Sequence, residues 1–242
     1  MEFSIVKTNI ANIAADAIAL PANEQLKEGS GSSRSIFEAA GRKELTKACA
    51  QIGHCDIGNA VPTLAFKLNA KFIIPAVVPR WIDGESGEYD LLSSAYFSAL
   101  NIADVMKCDS IAFPILASGN NGFDKELAVQ IAMESIDRFS GIYLKKVILV
   151  VYGDSMEELV KSMGHTVIYI PEKIRIEEKN VEHKAQMRKM LEDGKDIAQK
   201  FMEDQISKAL EWLKDEENRE MVLKYGIMIA QFVITKKRPK KK

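Results

Sequence analysis

The sequence predicts an α/β fold in three layers, with a sheet between two layers of helices. Two observations predict it. Short apolar runs alternate with segments of helical periodicity along the first two-thirds of the chain, and two of those runs lead into loops of small residues that open onto helices. The chain has 242 residues, of which 47% are apolar, enough for a sizeable core and too apolar for general disorder.

In chain order, residues 3–6, 17–20, 60–65, 72–78, 110–114 and 146–152 read as strands because they are short, apolar and bounded by turn residues. Residues 36–40, 44–52, 91–106, 126–139 and 156–163 read as helices. Gly41 sits where a helix ending at Ala40 needs a residue of positive φ, and Asp154 or Ser155 is placed to cap the helix that carries Glu157 and Glu158. Residues 166–170 add a further short strand.

Two strand–loop–helix units carry the chemistry. After residues 17–20 come Pro21, Ala22, Asn23 and then Gly29, Ser30, Gly31, Ser32 and Ser33, directly before a helix. After residues 110–114 come Ser118, Gly119, Asn120, Asn121, Gly122 and Phe123, again before a helix. Small residues at a helix N-terminus expose backbone N–H groups at the positive end of the helix dipole, a site for phosphate that needs no lysine or arginine. The plain reading of the same residues is a βα connection, with Ser32 and Ser33 as helix N-caps. In α/β sheets such loops leave the strands at their C-terminal ends, where ligands bind.

These residues resemble the macro domains that bind ADP-ribose. The resemblance rests on Asp16-Ala17-Ile18, Ala22-Asn23, Leu26, Gly29, Gly31, Ile36 and Ala39-Ala40-Gly41 in the first block, and on Ser110 to Pro114 with Ser118-Gly119-Asn120-Asn121-Gly122-Phe123 in the second. Cys49, Cys55, Gly58, Ala60, Thr63 and the run from Ile73-Ile74 to Pro79-Arg80-Trp81 echo the family's spacing between them. The resemblance covers residues 1–164 and implies a three-layer α/β/α macro-domain-like fold around a mixed sheet, with residues 171–242 as a C-terminal appendage to a domain of residues 1–170.

The resemblance implies that the ligand is ADP-ribose or an ADP-ribosyl group on a macromolecule, with no cofactor and no metal. Residues 29–33 and 118–122 would clamp the pyrophosphate, Phe123 would cover the distal ribose and Tyr152 would meet the adenine face. Asn9 and Ile10 stand where the family has an aspartate and its neighbour at the adenine amino group, so Asn9 would accept without a charge. Asn23 would hydrogen-bond the distal ribose or orient a water, which makes it the candidate catalytic residue of a second reading, an ADP-ribosyl hydrolase or O-acetyl-ADP-ribose deacetylase. In the hydrolytic subgroup an aspartate activates water, and Ser33 stands in its place, so binding ranks ahead of catalysis. A third reading is an interaction protein with a vestigial pocket.

Charge and cysteines narrow the setting. Through Gly164 the chain carries fifteen Lys and Arg against twenty Asp and Glu; from His165 onward the balance is eighteen against fourteen. The basic end, Lys236-Lys237-Arg238-Pro239-Lys240-Lys241-Lys242, reads as a solvated run and secondarily as a nucleic-acid contact. Cys49, Cys55 and Cys108 are odd in number and lack C-x-x-C spacing, which argues against disulfides and a zinc site and for a reducing, cytoplasmic location. No signal peptide or membrane span is expected. Residues 171–180 read as a charged linker; Ile197, Phe201, Met202, Ile206, Ala209 and Leu213, then Met221, Val222, Tyr225, Ile229, Phe232 and Val233, mark amphipathic helices that would pack on the same chain or join a homo-oligomer.

Overall fold

The computed structural model describes residues 1–169. The expected linker, amphipathic helices and basic tail lie outside the described residues. Seven strands form one sheet: β1 (Glu2–Lys7), β2 (Ala17–Ala22), β3 (Thr63–Leu64), β4 (Phe72–Val77), β5 (Ser110–Pro114), β6 (Lys146–Val151) and β7 (Val167–Tyr169), in the order β3-β4-β2-β5-β6-β1-β7. β3 runs antiparallel to β4 and every other pairing is parallel, so the sheet is mixed.

Among the described residues five α-helices, α1 (Ser32–Ala40), α2 (Arg42–Ile52), α3 (Glu88–Val105), α4 (Lys125–Asp137) and α5 (Asp154–Ser162), and a short 3-10 helix (Ile10–Asn12) between β1 and β2 connect the strands. Parallel strands need such crossovers, and helices on both faces are the usual result. Side chains alternate across the sheet. Ala17 and Ala19 of β2, Ile111 and Phe113 of β5, and Val147 and Leu149 of β6 join one core with α3, α4 and α5. Ile18 and Leu20, Ala112, and Ile148 and Val150 join the other with Ile36 and Phe37 of α1 and Leu45 of α2. This two-sided burial explains why the strands read as continuous apolar runs rather than as alternating ones.

Three local expectations change. The run at 60–65 contributes only Thr63–Leu64 to the sheet, with Ala60 bridging Ala76 separately, because Pro62 has no N–H to continue a ladder. Gly153, at φ 82°, holds the N-cap position of α5 with no side-chain cap bond, so neither Asp154 nor Ser155 is its cap. Ser32 and Ser33 lie inside α1, whose N-cap position is Gly31 with no side-chain cap bond.

The sheet places the two small-residue loops side by side. β2 is the neighbour of both β4 and β5, and the chain leaves β2 toward β4 but leaves β5 toward β6. That reversal is a topological switch point, where a crevice opens beyond the strand C-termini. The ladders reinforce it: β2 pairs with β4 over six residues, but with β5 only at Ala17↔Ile111 and Ile18↔Ala112. Pro21 and Pro114, which cannot donate to a ladder, fall beyond the point where it stops.

Tyr96 of α3 ties the β5 loop to the core. It is fully buried against Phe113, ring centroids 5.2 Å apart, and its hydroxyl oxygen accepts the Leu116 N–H at 2.9 Å. Tyr96→Phe keeps the packing but strands that buried N–H, so it should cost about 1 to 3 kcal/mol. Urea unfolding of the two proteins checks this; equal midpoints would show that Leu116 finds another acceptor.

Candidate functional site

A cavity of about 730 Å³ lies at the C-terminal ends of β4, β2 and β5, within the size range of small-molecule sites. Asn23, Glu24 and residues 29–33 of the β2–α1 loop form one wall. Ala117, Ser118, Gly119, Asn120 and Asn121 of the β5–α4 loop form a second. Val78, Pro79, Arg80, Ile82 and Ser86 after β4, with Glu88 and Leu91 of α3, form a third, and Ile57 joins the rim.

The first loop is shaped for an anion. Gly31 holds φ 58° and ψ −127°, a conformation that side-chain-bearing residues rarely adopt, and a Cβ built on it would meet no atom within 4 Å. No side chain caps α1 and no acidic residue lies in its first turn, so its N-terminal dipole end is uncovered by side chains. Ser33, only 4% exposed, turns its hydroxyl back to accept the Gly29 N–H at 3.0 Å. It therefore fixes the loop from below instead of capping the helix.

The second loop differs. Asp124 caps α4 by accepting the Glu126 and Leu127 N–H groups at 2.9 and 3.1 Å, so this helix end is already satisfied. What the loop offers is its own backbone. Ala117 is held at φ 61°, and a Cβ on Gly119 would stand in open space. Asn120 Nδ2 donates to Ser30 Oγ at 3.0 Å, a direct bond between the two loops. Asn121 donates to the Pro79 carbonyl at 2.9 Å and accepts the Trp81 N–H at 2.8 Å, joining the loop to the third wall.

Glu88 shapes that third wall. Its side chain is 1% exposed, and Oε1 accepts the N–H groups of Ile82, Asp83 and Gly84 at 2.9, 3.0 and 3.1 Å. Burial alone would raise its carboxyl, but the backbone donors, its own N–H first and then those of Ile82, Gly84 and Asp83, hold it down to about 2. The cysteines offer no nucleophile: burial pushes the Cys49 thiol up to about 11 and, with the charge of Asp56, that of Cys55 to about 12. No group of three His, Cys, Asp or Glu placed to hold a metal occurs among the described residues. No helix among them is long and apolar enough to cross a membrane.

Of the residues singled out in the sequence, Asn23, Gly29, Ser30, Gly31, Ser32, Ser33, Ser118, Gly119, Asn120 and Asn121 line the cavity. Asn23 also staples its own loop, accepting the Lys27 N–H and donating to the Lys27 carbonyl, each at 3.0 Å. The remaining five are not on the cavity wall. Asn9 accepts the Ala11 N–H and donates to Ser35, Ile10 is buried in the core beside α1, and Gly122 turns at φ 84° against Trp81. Phe123 is buried edge-on to Trp81, centroids 5.1 Å apart, because that ring fills its exposed side. Tyr152 is 75% exposed just past β6. Sequence reasoning missed Glu24, Arg80 and Glu88. Arg80 comes three residues after the end of β4, so its place near a parallel strand's C-terminal end was the available signal.

Comparison with known proteins follows the same part of the chain. A family model described as Macro domain matches residues 20–132. A macro domain-containing protein of Listeria monocytogenes is 40% identical over 144 residues, covering 58% of this chain and 81% of that protein. An O-acetyl-ADP-ribose deacetylase of Escherichia fergusonii is 37% identical over 139 residues, 56% of this chain and 78% of the relative. Among solved structures, a mutant macrodomain of Oceanobacillus iheyensis with ADPR superposes with a TM-score of 0.62 at 29% identity, covering 65% of this chain and 89% of its own.

The depressed carboxyl of Glu88 has a pH signature. A group whose folded-state value lies near 2, below the ordinary 4.5, contributes stability that is fully present above 4.5 and is lost as pH falls through 2. Glu88→Gln should therefore be less stable than wild type at pH 7, with the gap narrowing between pH 4.5 and 2. Thermal melts across that window check it; a gap that stays constant would show that the three N–H bonds do not depend on the charge.

Proposed function

The chain belongs to the macro domain family, and from that premise we propose that it binds ADP-ribose, free or attached to a macromolecule, in the cavity at the ends of β4, β2 and β5. One observation carries the reading: the α1 N-terminus, bare of capping side chains and opened by Gly31, faces a cavity shared with the second small-residue loop. A pyrophosphate presents two negative charges along its length. Backbone N–H groups from residues 30–32 and 118–121 would meet them from two sides, those of Gly29 and Ser33 being already bonded within the loop. Arg80, the one cation among the described residues that line the cavity, adds attraction at longer range. Asn23 and Ser30 would face the distal ribose, and Asn9, Ile10, Phe123 and Tyr152 lie off this cavity.

The likeness to a protein named O-acetyl-ADP-ribose deacetylase supports a second reading, hydrolysis of a group carried on the distal ribose, with Asn23 in the site. No cofactor or metal enters either reading. A cytoplasmic location fits the three free, buried cysteines. Oligomerisation through the apolar spacing between Ile197 and Val233, and a nucleic-acid contact through the basic end, belong to the same proposal and are testable by light scattering and by titration with single-stranded RNA.

Calorimetric titration tests the central reading. ADP-ribose should bind at least about tenfold, or about 1.4 kcal/mol, more tightly than AMP or ribose 5-phosphate, because only the whole ligand spans both loops. Gly119→Glu places an anion where open space allows its side chain, so the fold should persist while affinity drops by roughly 100-fold, about 2.7 kcal/mol. Absence of binding up to millimolar ADP-ribose would overturn the proposal in favour of a vestigial pocket.

A further inference from the structure

Among the carboxylate and hydroxyl groups on the cavity wall, Ser33, Glu88 and Glu24 differ in what each is already bonded to. Ser33 is buried and spends its oxygen on the Gly29 N–H. Glu88 is 1% exposed; its Oε1 is spent on three backbone N–H groups, and its Oε2 has no partner but is fully enclosed, out of reach of water. Glu24 is different. It lines the cavity, is half-buried, and makes no hydrogen bond or ion pair through its carboxylate among the described residues.

Its backbone is nonetheless fixed. The Glu24 carbonyl accepts the Cys55 N–H at 2.9 Å, and the neighbouring Asn23 carbonyl accepts the Leu26 N–H at 2.8 Å. The Glu24 carboxylate is uncommitted at the cavity wall and open to a water or a substrate proton. Asn23 next to it has given one amide hydrogen to the Lys27 carbonyl and keeps the second. Ile57 and Ile82 also line the cavity and are 37% and 72% exposed, apolar surface at the rim that suits a short acyl chain.

We propose that Glu24 is the general base that activates water for hydrolysis of an O-acyl ester on the distal ribose of ADP-ribose, an inference that rests on the reading that this cavity holds ADP-ribose. Water loses a proton to the Glu24 carboxylate as its oxygen bonds to the ester carbonyl carbon. The carbonyl electron pair moves onto the carbonyl oxygen, which the remaining Asn23 amide hydrogen stabilises. The tetrahedral intermediate collapses with cleavage of the bond between the acyl carbon and the ribose oxygen, and the proton on Glu24 passes to that oxygen. One ester and one water become one carboxylic acid and one ribose hydroxyl.

The test pairs two readouts on the full chain with wild type, Glu24→Gln and Glu24→Asp: ADP-ribose affinity by calorimetry and single-turnover hydrolysis of O-acetyl-ADP-ribose. Glu24→Gln is expected to keep its affinity within about twofold while its rate constant falls by roughly 10²- to 10⁴-fold, and Glu24→Asp should recover part of that loss. Wild type that binds ADP-ribose but does not hydrolyse the ester, or Glu24→Gln that hydrolyses at the wild-type rate, would overturn the role of Glu24 and leave the binding site standing. Glu24→Gln that loses affinity together with rate would also overturn it, by making Glu24 a binding or structural residue. Wild type that binds no ADP-ribose would remove the underlying reading and this inference with it.

Discussion

The early end of the β2–β5 ladder is the constraint on which the site depends. Two strands buried on both faces would ordinarily stay paired along their length, since an unpaired backbone group inside a core is costly. Here pairing stops after Ile18↔Ala112, and Pro21 and Pro114 lie beyond that point without an N–H to leave unsatisfied. The opening at their ends becomes a cavity instead of a packing fault, and the chain's reversal of direction at the same boundary sends a loop along each side of it.

Within that opening the two loops divide the work unequally. The α1 end is left bare of side-chain caps, and its nearest hydroxyl, Ser33, is drawn down to Gly29, while the α4 end is closed by Asp124. The second loop contributes shape through Ala117 at φ 61° and Gly122 at φ 84°, and it is anchored by Tyr96 below and by Pro79 and Trp81 beside it. The bond from Asn120 to Ser30 joins the loops across the gap. A preorganised set of donors loses less entropy when it meets a ligand than a mobile one, which is the advantage of building an anion site from backbone on three cross-linked loops.

The charges on the wall show how burial assigns roles to the same chemical group. Glu88 and Glu24 are both carboxylates on the cavity. The first is buried, with one oxygen anchoring the backbone of residues 82–84 and the other enclosed without a partner, and the second keeps both oxygens uncommitted. Asn23 stands between these cases, with its amide partly spent on Lys27 and partly free. The carboxylate that the resemblance led one to seek at Ser33 is absent there, but a carboxylate is present on the same loop nine residues earlier.

What the sequence determined by itself is local. Apolar runs such as residues 110–114 and 146–152 read correctly as strands because two-sided burial leaves them continuously apolar, and both glycine- and serine-bearing loops were visible because positive φ and close backbone approach demand small residues. The family pattern in those loops carried the fold class with it. Only the tertiary structure decided which side chains share the cavity. The Ser33 hydroxyl faces Gly29, Phe123 is taken up by Trp81, and Arg80, Glu24 and Glu88 arrive on the wall from separate elements. Those outcomes depend on strand order and on where a ladder stops, which are long-range pairings that no window of neighbouring residues encodes.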